Sequence, residues 1–173
     1  ITSDIAMALR TPTKDAEEIK VEHGVAKQLL ADPNEQVEVP GLGDRVPRML
    51  SRQALAGVIE PRVEEIFSMV HQVIRDSGYE ELLSSGIVLT GGSAVMPGMV
   101  ELGEDIFLKP VRKGLPTYSG ALFDMVAAPR CATAMGLLEE ARLAHVRGQR
   151  AAQQGGAVQG WFGKARDWFM RSF

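Results

Sequence analysis

The run GIVLTGG at residues 86–92 constrains the fold of this chain more than any other stretch. Ile87, Val88 and Leu89 are consecutive apolar residues closed by paired glycines, the pattern of a buried strand. A buried strand needs sheet neighbours, and few strands precede it. QVEVP, from Gln36, alternates polar and apolar residues and reads as a strand, with a Gly-Asp turn leading to a partner strand in GLGDRVPRML. The missing neighbours, and a chain that opens on Ile1 instead of Met, make this an expected piece of a longer protein.

The remainder is helical by period. ITSDIAMALR forms a short helix that Thr2 or Ser3 can cap. TPTKDAEEIKVEHG forms a second, with Thr11 or Thr13 as cap, Pro12 at an early position and Gly24 as the stop. From Ser51 to about Ser77, the residues Leu55, Val58, Ile59, Val63, Ile66, Val70, Val73 and Ile74 recur at helical spacing. Pro61 lies inside that pattern and should kink or split it. After GIVLTGG, Pro97 begins a helix toward Phe107, PVRKGLP is extended, and PRCATAMGLLEEARLAHV is again a helix. Helices, a small strand pair, a long helix, then strand–helix–strand–helix together predict an α/β fold with an inserted α+β subdomain.

With 173 residues and a net charge of −3, the chain suits about one domain and gives no basis for general nucleic-acid binding. Cys131 is the single cysteine, which rules out an intrachain disulfide. No apolar run reaches the roughly 18–20 residues needed to span a bilayer. His23, His71 and His145 lack ligand-spaced partners, so no metal site is nominated; no catalytic set is nominated either.

Three groups of residues invite a functional reading. Gly91 and Gly92 end a strand and lead toward a helix, where free N–H groups can cradle a nucleotide; a tight turn explains them as well. The stretch has neither the Lys-Ser/Thr of a P-loop nor the spacing of G-x-G-x-x-G. Glu17 and Lys20 share a helix face and could grip a ribose or purine edge, or form a solvated pair. Arg45, Arg48, Arg52 and Arg62 fall in a lysine-poor stretch that suits carboxylates, or is plain surface charge.

The end of the chain is different in kind. RGQRAAQQGGAVQG is polar and Gly/Gln-rich, the composition of a flexible linker, here 147–160. On a helix, Trp161, Phe162, Trp168, Phe169 and Phe173 fall within one arc of roughly 140° together with Ala165 and Ser172. Lys164, Asp167 and Arg171 fall opposite, with Arg166 at the border. That is the pattern of a helix lying in the lipid headgroup layer, expected at 161–173. The alternative is a terminal helix docked on its own domain.

In this order, TSDIAMAL, DAEEIK…HG, VEVPGLG…PR, RQALAGVIEPRVEEI, GIVLTGGSAVMPG and CATAMGLL resemble the bacterial cell-division family FtsA, of the actin, hexokinase and MreB superfamily. The resemblance implies the C-terminal half of an actin-like, ribonuclease H-like fold over 1–146. Subdomain 2A would comprise about 1–10 and 86–146, with an inserted subdomain 2B at about 11–85. It implies that Gly91, Gly92 and Ser93 meet the adenosine side of ATP, which would carry Mg, while Glu17 and Lys20 match a purine-side E-x-x-K; the site would be incomplete in this chain. Arg48 and Arg62 match positions used toward the C-terminal peptide of FtsZ. The implied function is a tether of FtsZ filaments to the cytoplasmic face of the inner membrane at the septum, with self-association into filaments and no covalent catalysis. A sugar-kinase-like ATPase or an MreB-type cell-shape protein are the rival readings.

Overall fold

The computed structural model describes residues 1–43 and 45–148. The chain divides into two compact units, Ile1–Cys131 and Ala132–Phe173.

In the first unit, helices α1 (Thr2–Leu9) and α2 (Thr13–His23) follow one another. Their N-cap positions are Ile1 and Pro12, and neither end has a side-chain cap. This corrects the expected threonine and serine caps. Thr2 sits inside the first turn, where its hydroxyl donates to the Glu17 carboxylate, and Thr11 is buried with no partner for Oγ1. Strands β1 (Gln36–Val39) and β2 (Arg48–Ser51) pair antiparallel, with Val37 opposite Leu50 and Val39 opposite Arg48. The alternation read from the sequence holds: Val37 and Val39 are buried, Gln36 and Glu38 exposed.

Helix α3 (Arg52–Asp76) begins as expected, with Ser51 Oγ accepting from the Ala54 N–H at 3.2 Å. Pro61 does not split it. Proline denies the carbonyl of Gly57 its partner and costs a helix interior about 3 kcal/mol. Burial of Leu55, Ala56, Ile59, Val63 and Phe67 on both sides of Pro61 offsets this, at roughly 1.5–3 kcal/mol for each large apolar side chain. The apolar stripe outruns that burial. Ile66, Val70 and Val73, expected on the core face, are exposed, as is Met69.

Strand β3 (Ile87–Leu89), helix α4 (Met99–Phe107) and strand β4 (Val111–Lys113) form a parallel strand–helix–strand unit, with Ile87 opposite Val111 and Leu89 opposite Lys113. The expected buried strand is not buried. Val88 is 48% exposed and its neighbours are half-buried, because β4 is the strand that pairs with β3 among the described residues. Helix α4 starts at Met99, later than Pro97, because a 3₁₀ turn at Gly92–Val95 precedes it and Gly98 takes the N-cap.

One apolar cluster joins these elements. Ile5 of α1, Ile19 of α2, Val37 and Val39 of β1, Leu55, Ile59 and Val63 of α3, Leu102 and Phe107 of α4, and Val111 of β4 all belong to it. His71 of α3 packs into the fold: it bonds Glu80 at 2.8 Å and meets the Phe107 ring edge-on at 5.8 Å. The unit closes with α5 (Phe123–Val126) and a 3₁₀ turn at Pro129–Cys131.

In the second unit, residues 132–148 are helical, here α6. The helix continues past 146, into the segment read as linker. The rest of that segment and the tail residues Trp161, Phe162, Lys164, Arg166, Trp168, Phe169, Arg171 and Phe173 lie outside the described residues.

Candidate functional site

Helix α2 and the turn after β3 meet at a cleft of about 300 Å³. The helix contributes Glu17, Lys20, Val21 and Gly24; the turn contributes Gly92, Ser93, Val95, Met96 and Pro97; Arg130 completes the lining. Residues that the sequence placed far apart are thus brought together: Glu17 and Lys20 on one element, Gly92 and Ser93 on another. Gly91 does not line the cleft and acts behind it. Its φ of +96° lies where only glycine is comfortable, and it turns the chain out of the strand.

The turn is held from the side. The Gly91 N–H donates to the Pro129 carbonyl at 3.0 Å, and Thr90 Oγ1 donates to the same oxygen at 3.3 Å. Below the cleft, the Ala26 N–H donates to Pro97 O at 2.8 Å, and Lys27 pairs with Asp105 of α4 at 2.5 Å. That carboxylate raises the Lys27 pKa. Gly24, read from the sequence as a helix stop, has a second reason to be glycine. A Cβ there would lie 2.3 Å from the Lys20 carbonyl and 3.1 Å from Met96 Cε, at the cleft wall.

Glu17 and Lys20 neutralise one another. Lys20 Nζ donates to both Glu17 oxygens, at 2.7 and 2.6 Å, and to Thr2 Oγ1 at 3.1 Å; the Thr2 hydroxyl donates to Glu17 at 2.5 Å. Lys20 first, and Thr2 second, hold the Glu17 carboxyl below its usual range. A charged, fixed carboxylate beside backbone N–H groups and an apolar wall can accept from ribose hydroxyls or an exocyclic amine and hold a flat ring. Pockets of about 300–1,000 Å³ with few polar groups are the usual form of small-molecule sites.

The two arginines nominated for a partner stand in different surroundings. Arg48 donates from Nη2 to the carbonyl of Leu9, at the C-terminal end of α1, at 3.0 Å. It lines a shallow notch of about 50 Å³ together with Arg45, which the sequence had grouped with it, and Arg10, which the sequence reading had not joined to it. Arg10 takes a left-handed backbone, φ +50°, at the end of α1. Arg62 does not line the notch. Its Nε and Nη2 bond the two oxygens of Asp4 at 2.9 and 2.6 Å, and Nη1 bonds Glu65 at 2.5 Å. Arg62 holds the Asp4 carboxyl well below the usual carboxylate range, and Asp4 in turn raises the Arg62 pKa.

Among the described residues there is no group of acidic, histidine or cysteine side chains that could hold a metal, and no helix is long and apolar enough to cross a membrane.

A family model described as "Cell division protein FtsA" matches residues 1–136. Among curated proteins, "Cell division protein FtsA" of Pseudomonas aeruginosa is 54% identical over 138 residues, covering 80% of this chain and 33% of that protein. Those of Neisseria meningitidis serogroup B and Escherichia coli K12 are 42% and 38% identical, each covering 100% of this chain and 43% of the relative. The chain therefore spans less than half the length of these relatives. Among solved structures, MreB5 of Spiroplasma citri bound to ADP has a TM-score of 0.57 at 18% identity, over 82% of this chain and 43% of that one. The same protein bound to AMPPNP gives 0.59 at 16%, over 86% and 44%. At that identity the likeness carries the fold: the α/β arrangement is actin-like.

Proposed function

The chain belongs to the FtsA family of cell-division proteins, and we propose that it serves there as an actin-like tether, holding FtsZ filaments of the division ring to the cytoplasmic face of the inner membrane. The observation that carries the nucleotide part is the cleft that gathers Glu17, Lys20, Gly92 and Ser93. Its glycine-built turn, its neutralised carboxylate and its apolar wall fit the adenosine end of ATP. When bound, ATP with its Mg would supply the phosphate charge that actin-like assembly responds to. No residue of this chain is assigned to the metal or to hydrolysis. The chain would contribute one wall of the site, so nucleotide serves assembly and not covalent chemistry at these residues.

The C-terminal peptide of FtsZ is proposed to dock at the α1–hairpin corner. The notch formed by Arg10, Arg45 and Arg48 supports this: Arg48 keeps free donors after bonding Leu9, and no described carboxylate pairs with Arg10 or Arg45. Closely spaced like charges repel, and an acidic segment relieves that repulsion while gaining charge-assisted hydrogen bonds. The lipid contact is assigned to Trp161–Phe173. Alignments with the N. meningitidis and E. coli relatives run across the whole chain, tail included. The test is reconstitution. FtsZ should sediment with anionic liposomes only when this protein is present, and FtsZ lacking its C-terminal peptide should stay in the supernatant. Equal recruitment of both forms of FtsZ would overturn the tether.

A further inference from the structure

Arg130 is the charged group of the cleft that the proposed function leaves unused. It lies on the 3₁₀ turn Pro129–Cys131, whose Pro129 carbonyl takes hydrogen bonds from Gly91 and Thr90. The turn that carries the cleft glycines and the turn that carries Arg130 are thus fastened together, so Arg130 is placed by the same backbone that places Gly92. Glu17 and Lys20, the other charges lining the cleft, bond each other. Among the described residues no carboxylate pairs with Arg130, so its guanidinium is the uncompensated charge at the cleft. The lining argues that it meets a ring and not a polyphosphate: Val95, Met96 and Pro97 give the space an apolar side suited to a flat ring.

Resting on the nucleotide reading above, we infer that Arg130 is a ligand-positioning residue whose planar guanidinium stacks on the purine base. Guanidinium–π contacts of this kind depend on a flat, delocalised cation, which an ammonium does not reproduce. The role is distinct from that of Glu17, which can only accept hydrogen bonds. Arg130 is exposed, so its replacement should leave the fold intact.

The test follows the amide shifts of Gly91, Gly92 and Ser93 in the 173-residue chain during millimolar titrations with adenosine, ATP and inorganic tripolyphosphate. The wild type should respond to adenosine and ATP. Arg130→Ala should weaken both by the same factor, about threefold to tenfold, and Arg130→Lys should weaken both nearly as much. Tripolyphosphate should give no shift at these amides. Unchanged affinities in Arg130→Ala would overturn the inference and leave the nucleotide reading standing. Loss for ATP with adenosine unaffected would make Arg130 a phosphate contact and likewise overturn it. A wild type that responds to neither adenosine nor ATP at millimolar ligand would show that this wall alone holds no nucleotide and would overturn the inference with it.

Discussion

Arg62 spends its guanidinium inside the fold, on Asp4 and Glu65, and this separates it from Arg48, although the sequence presents them as equivalents. Arg48→Glu should weaken binding of the FtsZ peptide by 2 kcal/mol or more if the peptide carboxylate is desolvated, and by about 0–1 kcal/mol if it stays at the surface. Titration calorimetry with the peptide reads that directly, and unchanged affinity would move the site away from the notch. Arg62→Glu should act mainly on the fold, since it places a carboxylate against the mostly buried Asp4 and breaks the clamp between α1 and α3. The sign of its pH dependence follows from Asp4. Its folded pKa is depressed, so the bond stabilises the protein above the ordinary carboxylate pKa of about 4 and is lost as pH falls through the lower folded value. Asp4→Asn should therefore lower stability near pH 7 by about 1–2 kcal/mol, and the gap to wild type should close in acid. Urea unfolding from pH 7 down to pH 2 measures it; a gap that does not narrow as pH falls below about 4 would refute the assignment. Of the cleft, Glu17 and Lys20 were legible as a pair because they are three apart on one helix, and Gly91–Gly92 because glycines punctuate a strand. Arg130 was not legible. What brings it to the cleft is a hydrogen bond between turns distant in sequence, and no local pattern encodes that.

At the scale of elements, the 3.6-residue period of α3 and its Ser51 cap were visible in the sequence, and the helix forms there. At Pro61 local rules allow a kink or a split, and the split does not occur. Burial on both sides of it wins, since the helix face from Leu55 to Phe67 is anchored in the main cluster. The cost remains in the molecule. Pro61→Ala should restore a partner to the Gly57 carbonyl and raise stability by about 1–2 kcal/mol, the helix penalty of proline less the chain entropy that proline removes from the unfolded state. A rise in the thermal midpoint is expected, and a fall would show that the prolyl ring is itself a packing contact. The run GIVLTGG failed in the opposite sense. Its composition asks for an interior, but composition cannot supply the neighbours, and Val88 is left half exposed beside β4. The exposed stripe of Ile66, Met69, Val70 and Val73 on α3 has the same origin: the pattern records a demand for cover that the described residues do not meet.

For the whole molecule, the proposed tether needs a weak lipid contact at one end and a polymer to multiply it. A helix over Trp161–Phe173 would be about 20 Å long at about 1.5 Å per residue, too short for a bilayer some 30 Å thick in its hydrocarbon, so it would lie flat. Burying Trp161, Phe162, Trp168, Phe169 and Phe173 gives the apolar gain, and Lys164, Arg166 and Arg171 add about 1 kcal/mol each near an anionic surface. Ordering a short helix from coil opposes both. A single chain should therefore bind reversibly, and a filament carrying many tails should bind firmly, because every contact after the first is effectively intramolecular. Salt should weaken the contact without abolishing it, since screening removes the electrostatic part alone. Trp168→Glu removes one of the two tryptophans of the aromatic arc and puts a charge in its place. It should release the protein from anionic liposomes while leaving the fold of 1–148 and its affinity for the FtsZ peptide unchanged. If Trp168→Glu sediments with those liposomes as fully as wild type, the tail is a segment docked on protein, and the membrane attachment must come from elsewhere in the molecule.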